Sequence, residues 1–350
     1  MTVLPRVAAA VAVAVVSALS TTAAGAAGAK VHITGTAYEF NNVKVKLGGA
    51  TVKVAEIASA SATVKADGTY DLVVPAGKKV TPYIVADGYR TVYLQTFSTV
   101  AGEDLEHVNI QTPSLAVAGA LSLLLSVPVD AAGLPQQCVI VSTFSTRNVR
   151  GLGVEFSDFT GYGAHGVAGA TASAKPALPA PTYFNDQVLP DPNQKLSSVD
   201  GGVIWTGVAA GAYTVSAKKT GTRFASFTAT CANGRIVNAN PPWGLHELGL
   251  KNTTVAKPSW SGQTLTELRL NKLPKGSTVS LGGKSVPVRG AAALVIRSKR
   301  TLTGKRPLEL RVTAPAYDGL VLRFTPRASG APVTKRLCLP LGNTLPRPSC

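Results

Sequence analysis

The sequence predicts an all-β protein: two successive β-sandwiches followed by a third, smaller and strongly basic β domain. Three observations carry that prediction. The 350 residues include 34 Gly and 23 Pro, a composition poor in helix formers and rich in turn formers, which excludes a long coiled coil. Short runs alternate apolar and polar residues with a period of two, the pattern of half-buried strands. Turn pairs such as Asp-Gly recur between such runs at intervals of about ten residues, which fits a sandwich and not βαβ units. A hydrophobic fraction of 45% and a mean hydropathy of +0.19 leave ample surface to bury, so disorder throughout is excluded.

Residues 1–29 read as an export signal. Arg6 supplies the basic start, Val7 to Leu19 the apolar run, and Ala24-Gly25-Ala26 or Ala27-Gly28-Ala29 the small-residue cleavage site. The run is short of the ~20 strongly apolar residues a membrane span needs, and a retained anchor is the alternative. Leu115 to Val129, interrupted by Gly119, Ser122, Ser126 and Pro128, is also too short and reads as a buried strand with its approach. The mature chain is therefore expected to start near Lys30, secreted or held at the cell surface, with no transmembrane span.

In the first domain, residues 30–112, Val43 to Leu47 and Thr51 to Val54 alternate cleanly. Asp67-Gly68 separates Thr63-Val64-Lys65 from Tyr70 to Val74, a hairpin signal. Pro75-Ala76-Gly77 ends that strand, Tyr83 to Val85 follows, Asp87-Gly88 turns again, and Thr91 to Phe97 reads as one further strand.

The second domain, residues 113–248, repeats this pattern more faintly. Gly169-Ala170-Thr171-Ala172 matches Gly49-Ala50-Thr51-Val52, and Asp200-Gly201 matches Asp67-Gly68. Val208 to Tyr213 matches the strand-closing Pro-Ala-Gly, and Pro241-Pro242-Trp243 reads as a rigid exit. The extra length falls in a loop, 175–195, carrying five prolines. Long loops on sandwiches are often functional, so Tyr183, Phe184, Asn185 and Asp186 are candidate ligand contacts; the alternative is a rigid flap packed on its own sheet.

In the third domain, residues 249–350, Leu308 to Thr313 and Leu320 to Thr325 alternate, and Gly276 and Gly282-Gly283 bracket another short strand. The formal charge of the chain is +17, and this domain holds 18 basic and three acidic residues against near balance elsewhere. The run Arg297, Lys299, Arg300, Lys305, Arg306, with Lys335 and Arg336, is a candidate polyanion-binding surface. The plain alternative is a soluble, self-repelling domain. Nucleic-acid readers interleave aromatics for stacking, and this domain offers only Trp260, Tyr317 and Phe324, so intracellular nucleic acid is a poor candidate partner.

Four cysteines in an exported chain favour disulfides over metal, and no C-x-x-C pair exists. The expected pairs are Cys138–Cys231 and Cys338–Cys350. The second closes a loop of about a dozen residues, worth ~3 kcal/mol in the chain-entropy view.

The motifs Gly49-Ala50-Thr51-Val52, Asp67-Gly68-Thr69-Tyr70 with Leu72, Pro75 and Gly77, and Ala86-Asp87-Gly88-Tyr89 resemble a carboxypeptidase regulatory-like domain. The resemblance covers most of residues 30–112, with the weaker second copy downstream. It implies tandem Ig-like, prealbumin-like sandwiches of the carbohydrate-binding-like kind, serving as non-catalytic accessories.

No catalytic constellation is readable. His32, His107, His165 and His246 are scattered, which does not fit the His/Arg/His site of 5-hydroxyisourate hydrolases, a family that resembles this topology. An intradiol-dioxygenase-like iron site from Tyr162, His165, Tyr183 and His246 lacks the paired His expected after Tyr213. There is no G-x-S-x-G, no EF-hand spacing, and no α/β segment for a carboxypeptidase proper. Trp205, Trp243 and Trp260 are candidates for sugar stacking or, more simply, core residues. No cofactor or metal is expected. The reading is a non-catalytic exported protein that tethers to an anionic polymer or glycan of the envelope. The alternative is a secreted enzyme using Asp186, Asp191 or His165.

Overall fold

The computed structural model describes residues 28–146, 166–220, 222–239, 241–288, 292–304, 306–314, 317–339 and 344–348. Residues 1–27 of the expected signal segment, with His165, Tyr162, Lys305 and Cys350, lie outside the described residues.

The chain is all-β. The first domain contains β1 (Lys30–Glu39), β2 (Asn42–Lys46), β3 (Thr51–Val54), β4 (Ile57–Thr63), β5 (Thr69–Pro75), β6 (Lys79–Val80), β7 (Pro82–Val85), β8 (Val92–Tyr93), β9 (Phe97–Ser98) and β10 (Ile110–Thr112). In β5 every second residue is buried, Tyr70, Leu72 and Val74, as its alternation requires. Thr91 to Phe97 forms two short strands rather than one. Leu94 N still donates to Pro82 O of β7, and Thr96 then pairs with Thr228 of the next domain, which separates the two strands.

Residues 115–124 form helix α1 (Leu115–Leu124), correcting the expectation of a buried strand. Pro113 cannot extend a ladder, Ser114 Oγ accepts a hydrogen bond from Val117 N at 3.4 Å, and the Leu/Ala-rich run that follows favours helix. Nor is it buried: Ala118 alone of its ten residues lies in the interior, and Leu123 is 83% exposed. No helix among the described residues is long and apolar enough to cross a membrane.

The second domain contains β11 (Cys138–Thr143), β12 (Thr171–Lys175), β13 (Thr182–Phe184), β14 (Pro190–Asp191), β15 (Gly202–Val208), β16 (Gly211–Lys218), β17 (Phe227–Cys231) and β18 (Ile236–Ala239). Several backbone hydrogen bonds and strand pairings of the first domain recur in it. Gly49 N donates to Val64 O and Val64 N to Ala50 O; Gly169 N donates to Ser197 O and Ser197 N to Ala170 O. Both glycines have φ near +80°, at +87° and +75°, the left-handed region that favours Gly. Ala37 N donates to Gly68 O as Phe144 N donates to Gly201 O, each at 2.8 Å. Strand β1 runs antiparallel to β5 and parallel to β10, as β11 does to β15 and β18. Cys138 and Cys231 form a disulfide joining β11 to β17.

The two domains are fused more closely than tandem modules would be. One nine-stranded sheet, ordered β14-β13-β15-β11-β18-β8-β7-β3-β4, passes through both. Pro241-Pro242-Trp243, expected as an exit, packs back on the first domain. Trp243 meets Phe97 edge-on at 5.1 Å and donates to Glu106 O, while Gly244 N donates to Gln95 Oε1 at 2.9 Å.

The third domain contains α2 (Leu250–Thr253), β19 (Val255–Ser261), β20 (Thr264–Asn271), β21 (Thr278–Leu281), β22 (Lys284–Val286), β23 (Ala293–Thr301), β24 (Leu308–Thr313), β25 (Gly319–Thr325) and β26 (Val333–Leu339). A three-stranded sheet, β19-β20-β23, and a five-stranded sheet, β22-β21-β24-β25-β26, enclose a Leu-rich core that includes Leu268, Leu310 and Phe324. Cys338 is disulfide-bonded.

Candidate functional site

The candidate cationic surface is built on the three-stranded sheet of the third domain. Strand β23 lies at the edge of that sheet, and its burial alternates: Leu294 and Ile296 turn partly inward, while Val295, Arg297 and Lys299 are exposed. Register then assembles the outer face. Lys257, Arg269 and Val295 lie abreast across β19, β20 and β23, and Ser259, Glu267 and Arg297 form the next row. Arg269 Nε donates to Glu267 Oε1 at 2.5 Å, and this bond with its charge attraction raises the guanidinium pKa. Among the described residues, one carboxylate, Glu267, therefore stands among four cations on this face: Lys257, Arg269, Arg297 and Lys299. Nothing in the basic run itself marks Lys257 and Arg269 as its neighbours, because only strand pairing brings them beside it.

The remaining candidates divide. Arg297, Lys299, Arg300, Arg306 and Lys335 are exposed and take part in no ion pair among the described residues. Lys335 stands on the other sheet, opposite Arg323 across β25 and β26. Arg336 is employed differently. Its Nε and Nη2 donate to the carbonyls of Lys251 and Thr254, closing the C-terminal end of α2. Partial burial there lowers its pKa, and it serves as a structural clamp within the domain. Arg347 Nη1 reaches Glu106 of the first domain at 2.6 Å, with both side chains about half exposed.

The four candidate residues of the Pro-rich loop do not form a common ligand face. Tyr183 and Phe184 are core residues, 4% and 6% exposed. Phe184 packs with Val139 and Ile204, and Tyr183 Oη accepts from Ala172 N at 3.1 Å. Asn185 Oδ1 accepts from Gln187 N and Leu189 N and so shapes the turn, leaving Asp186 at the solvent-facing tip. The loop has become a hairpin, β13–β14, laid against β15, whereas the first copy folds β4 back on β3.

Asp191 and Asp200 each accept a hydrogen bond from a backbone N–H two residues ahead, at 2.9 Å in both cases. They shape their own turns. Among the described residues no group of three His, Cys, Asp or Glu side chains is arranged to hold a metal ion. The tryptophans are committed to packing: Trp205 is 3% exposed and donates to Pro179 O, and Trp260 meets Phe324 edge-on at 5.2 Å.

The chain matches no protein-family model and no curated protein. Solved structures with local similarity include a type II cohesin–X-dockerin complex of Acetivibrio cellulolyticus, at 15% identity and a TM-score of 0.20, covering 24% of this chain and 58% of that one. The Bacillus anthracis TIE protein is matched at 10% identity and a TM-score of 0.21, covering 90% of this chain and 49% of that one. A streptococcal ancillary pilin is matched at 9% identity and a TM-score of 0.20, covering 88% and 95%. Scores this low establish neither a shared topology nor a shared activity.

Proposed function

We propose that this is an exported, non-catalytic β protein whose third domain holds an anionic polymer or glycan of the cell envelope. The observation that carries the reading is the outer face of β19-β20-β23, where Lys257, Arg269, Arg297 and Lys299 face solvent with Glu267 as their one carboxylate neighbour among the described residues. Cations concentrated on one face create a local field that draws polyanions from solution. The Cys138–Cys231 disulfide and the leader-like N-terminus support an oxidising, extracellular location. The paired hydrogen bonds of Gly49 and Gly169 support reading the first two domains as copies of one accessory sandwich, of the carboxypeptidase regulatory-like type, that presents the third.

The test is retention of the full chain on beads carrying poly(glycerol phosphate) against beads carrying uncharged dextran. Retention on the phosphate polymer alone is expected, and the double substitution R297E/K299E should abolish most of it. Equal retention on both beads, or no effect of the charge reversal, would contradict the reading.

A further inference from the structure

Beside the cationic face, the turn between β21 and β22 and residues 301–303, 306 and 307 enclose an open cleft of about 620 Å³. Gly282, Gly283, Arg300, Arg306, Glu309 and Arg311 line it. Glu309, the one carboxylate among the described lining residues, is already spent. Arg311 donates from Nε and Nη2 to Glu309 Oε2, at 3.1 and 2.9 Å, and Arg323 donates to Oε1 at 2.9 and 2.7 Å. Arg311 Nη1 is fixed in turn by Thr344 O at 2.9 Å. Glu309 thus anchors the cleft's rear wall and leaves the charges of Arg300 and Arg306 without a carboxylate among the described residues.

Gly282 provides the seat for Arg300. A Cβ at that position would lie 2.2 Å from Arg300 Nη1, so the guanidinium rests directly on the glycine, whose φ of +58° also favours Gly. A guanidinium held against backbone presents its donors in a planar fork suited to oxyanions. The cleft is far larger than an inorganic ion needs and lies within the ~300–1,000 Å³ range of small-molecule sites.

We propose that this cleft binds an oxyanion ester, phosphate or sulfate, carried on a sugar-sized unit, with Arg300 and Arg306 gripping the anion and Arg311 lining the wall. The inference deepens the polymer-binding reading by giving that surface a specific seat for one repeat, yet it can be tested apart from it. Titration calorimetry of the full chain would use glucose 6-phosphate, glucose 6-sulfate and glucose as probes. At least one ester should bind and glucose should not, and the tighter ester identifies the source. R300Q/R306Q should weaken ester binding about tenfold or more, with an unchanged melting temperature because both side chains are exposed. R297Q/K299Q, on the neighbouring face, should leave ester binding within about twofold while weakening retention on the polymer beads. If neither ester binds, if glucose binds equally well, or if R300Q/R306Q binds as the native chain does, the inference is overturned. Polymer retention in those same samples would show whether the broader reading survives it.

Discussion

Tyr93 and Val237 face each other as parallel neighbours across the junction of the first two domains, and through that pairing one sheet serves both. Tyr93 also stacks on Tyr83, with centroids 4.9 Å apart, and carries the Arg235 guanidinium 4.5 Å above its ring. Hydrophobic contact, stacking and a cation–π interaction thus meet at one side chain. Tyr93→Ala is expected to destabilise the chain by about 2–3 kcal/mol, and Tyr93→Phe by under ~1 kcal/mol, in urea titrations. The first two domains should unfold in one transition, and separate transitions would show that the shared sheet does not couple them.

Cys138 and Cys231 lie 93 positions apart in sequence, so their disulfide closes a long loop around the second core. Replacing both by Ser should cost ~2–5 kcal/mol, read as a lower melting temperature of the native chain under non-reducing conditions. The leucine core of the third domain makes no use of this bond, so any separate transition from that domain should stay where it is.

Arg336 and Arg297 are both arginines of the basic domain, and the structure gives them opposite work. Arg336→Ala leaves the carbonyls of Lys251 and Thr254 without their donor and is expected to cost ~1–3 kcal/mol of stability. Arg297→Ala should leave stability within about 0.5 kcal/mol. Polymer retention should show the reverse order, with Arg297 the more costly loss.

Acid should loosen the third domain through Glu309. Partial burial alone would raise this carboxyl, but hydrogen bonds from Arg323 and Arg311, with their charges, outweigh it and hold the group below its ordinary value of 4.5. A group whose native pKa is depressed stabilises the fold above its unfolded value, and that stabilisation fades as pH falls through the native value. Stability measured from pH 7 downward should therefore begin to drop near the ordinary carboxylate range and continue below it. In E309Q that part of the drop should be missing, at the cost of lower stability at pH 7.

Much of the architecture was legible because it rests on local chemistry. Gly49 and Gly169 occupy left-handed turns, and the strands after them alternate, so the repeat could be read without coordinates. The helix at Leu115 was not legible by periodicity, since its residues are apolar on every side and exposed apolar surface imitates a buried strand. Tyr183 and Phe184 look like loop ligands in a Pro-rich stretch, and only the long-range pairing of β13 with β15 reveals them as core. The cationic face was half legible. The run around Arg297 is contiguous in sequence, while Lys257 and Arg269 join it through register, and the exhaustion of Glu309 by two arginines depends on β24 and β25 lying side by side.

Anchoring by exposed cations is put to its sharpest trial by the salt dependence of the full chain's affinity for poly(glycerol phosphate), from low to about physiological ionic strength. If those cations hold the polymer, affinity falls steeply as counterions compete, and R297Q/K299Q lowers both the affinity and the steepness. An affinity indifferent to salt, with the double variant indistinguishable from the native chain, would rule such anchoring out.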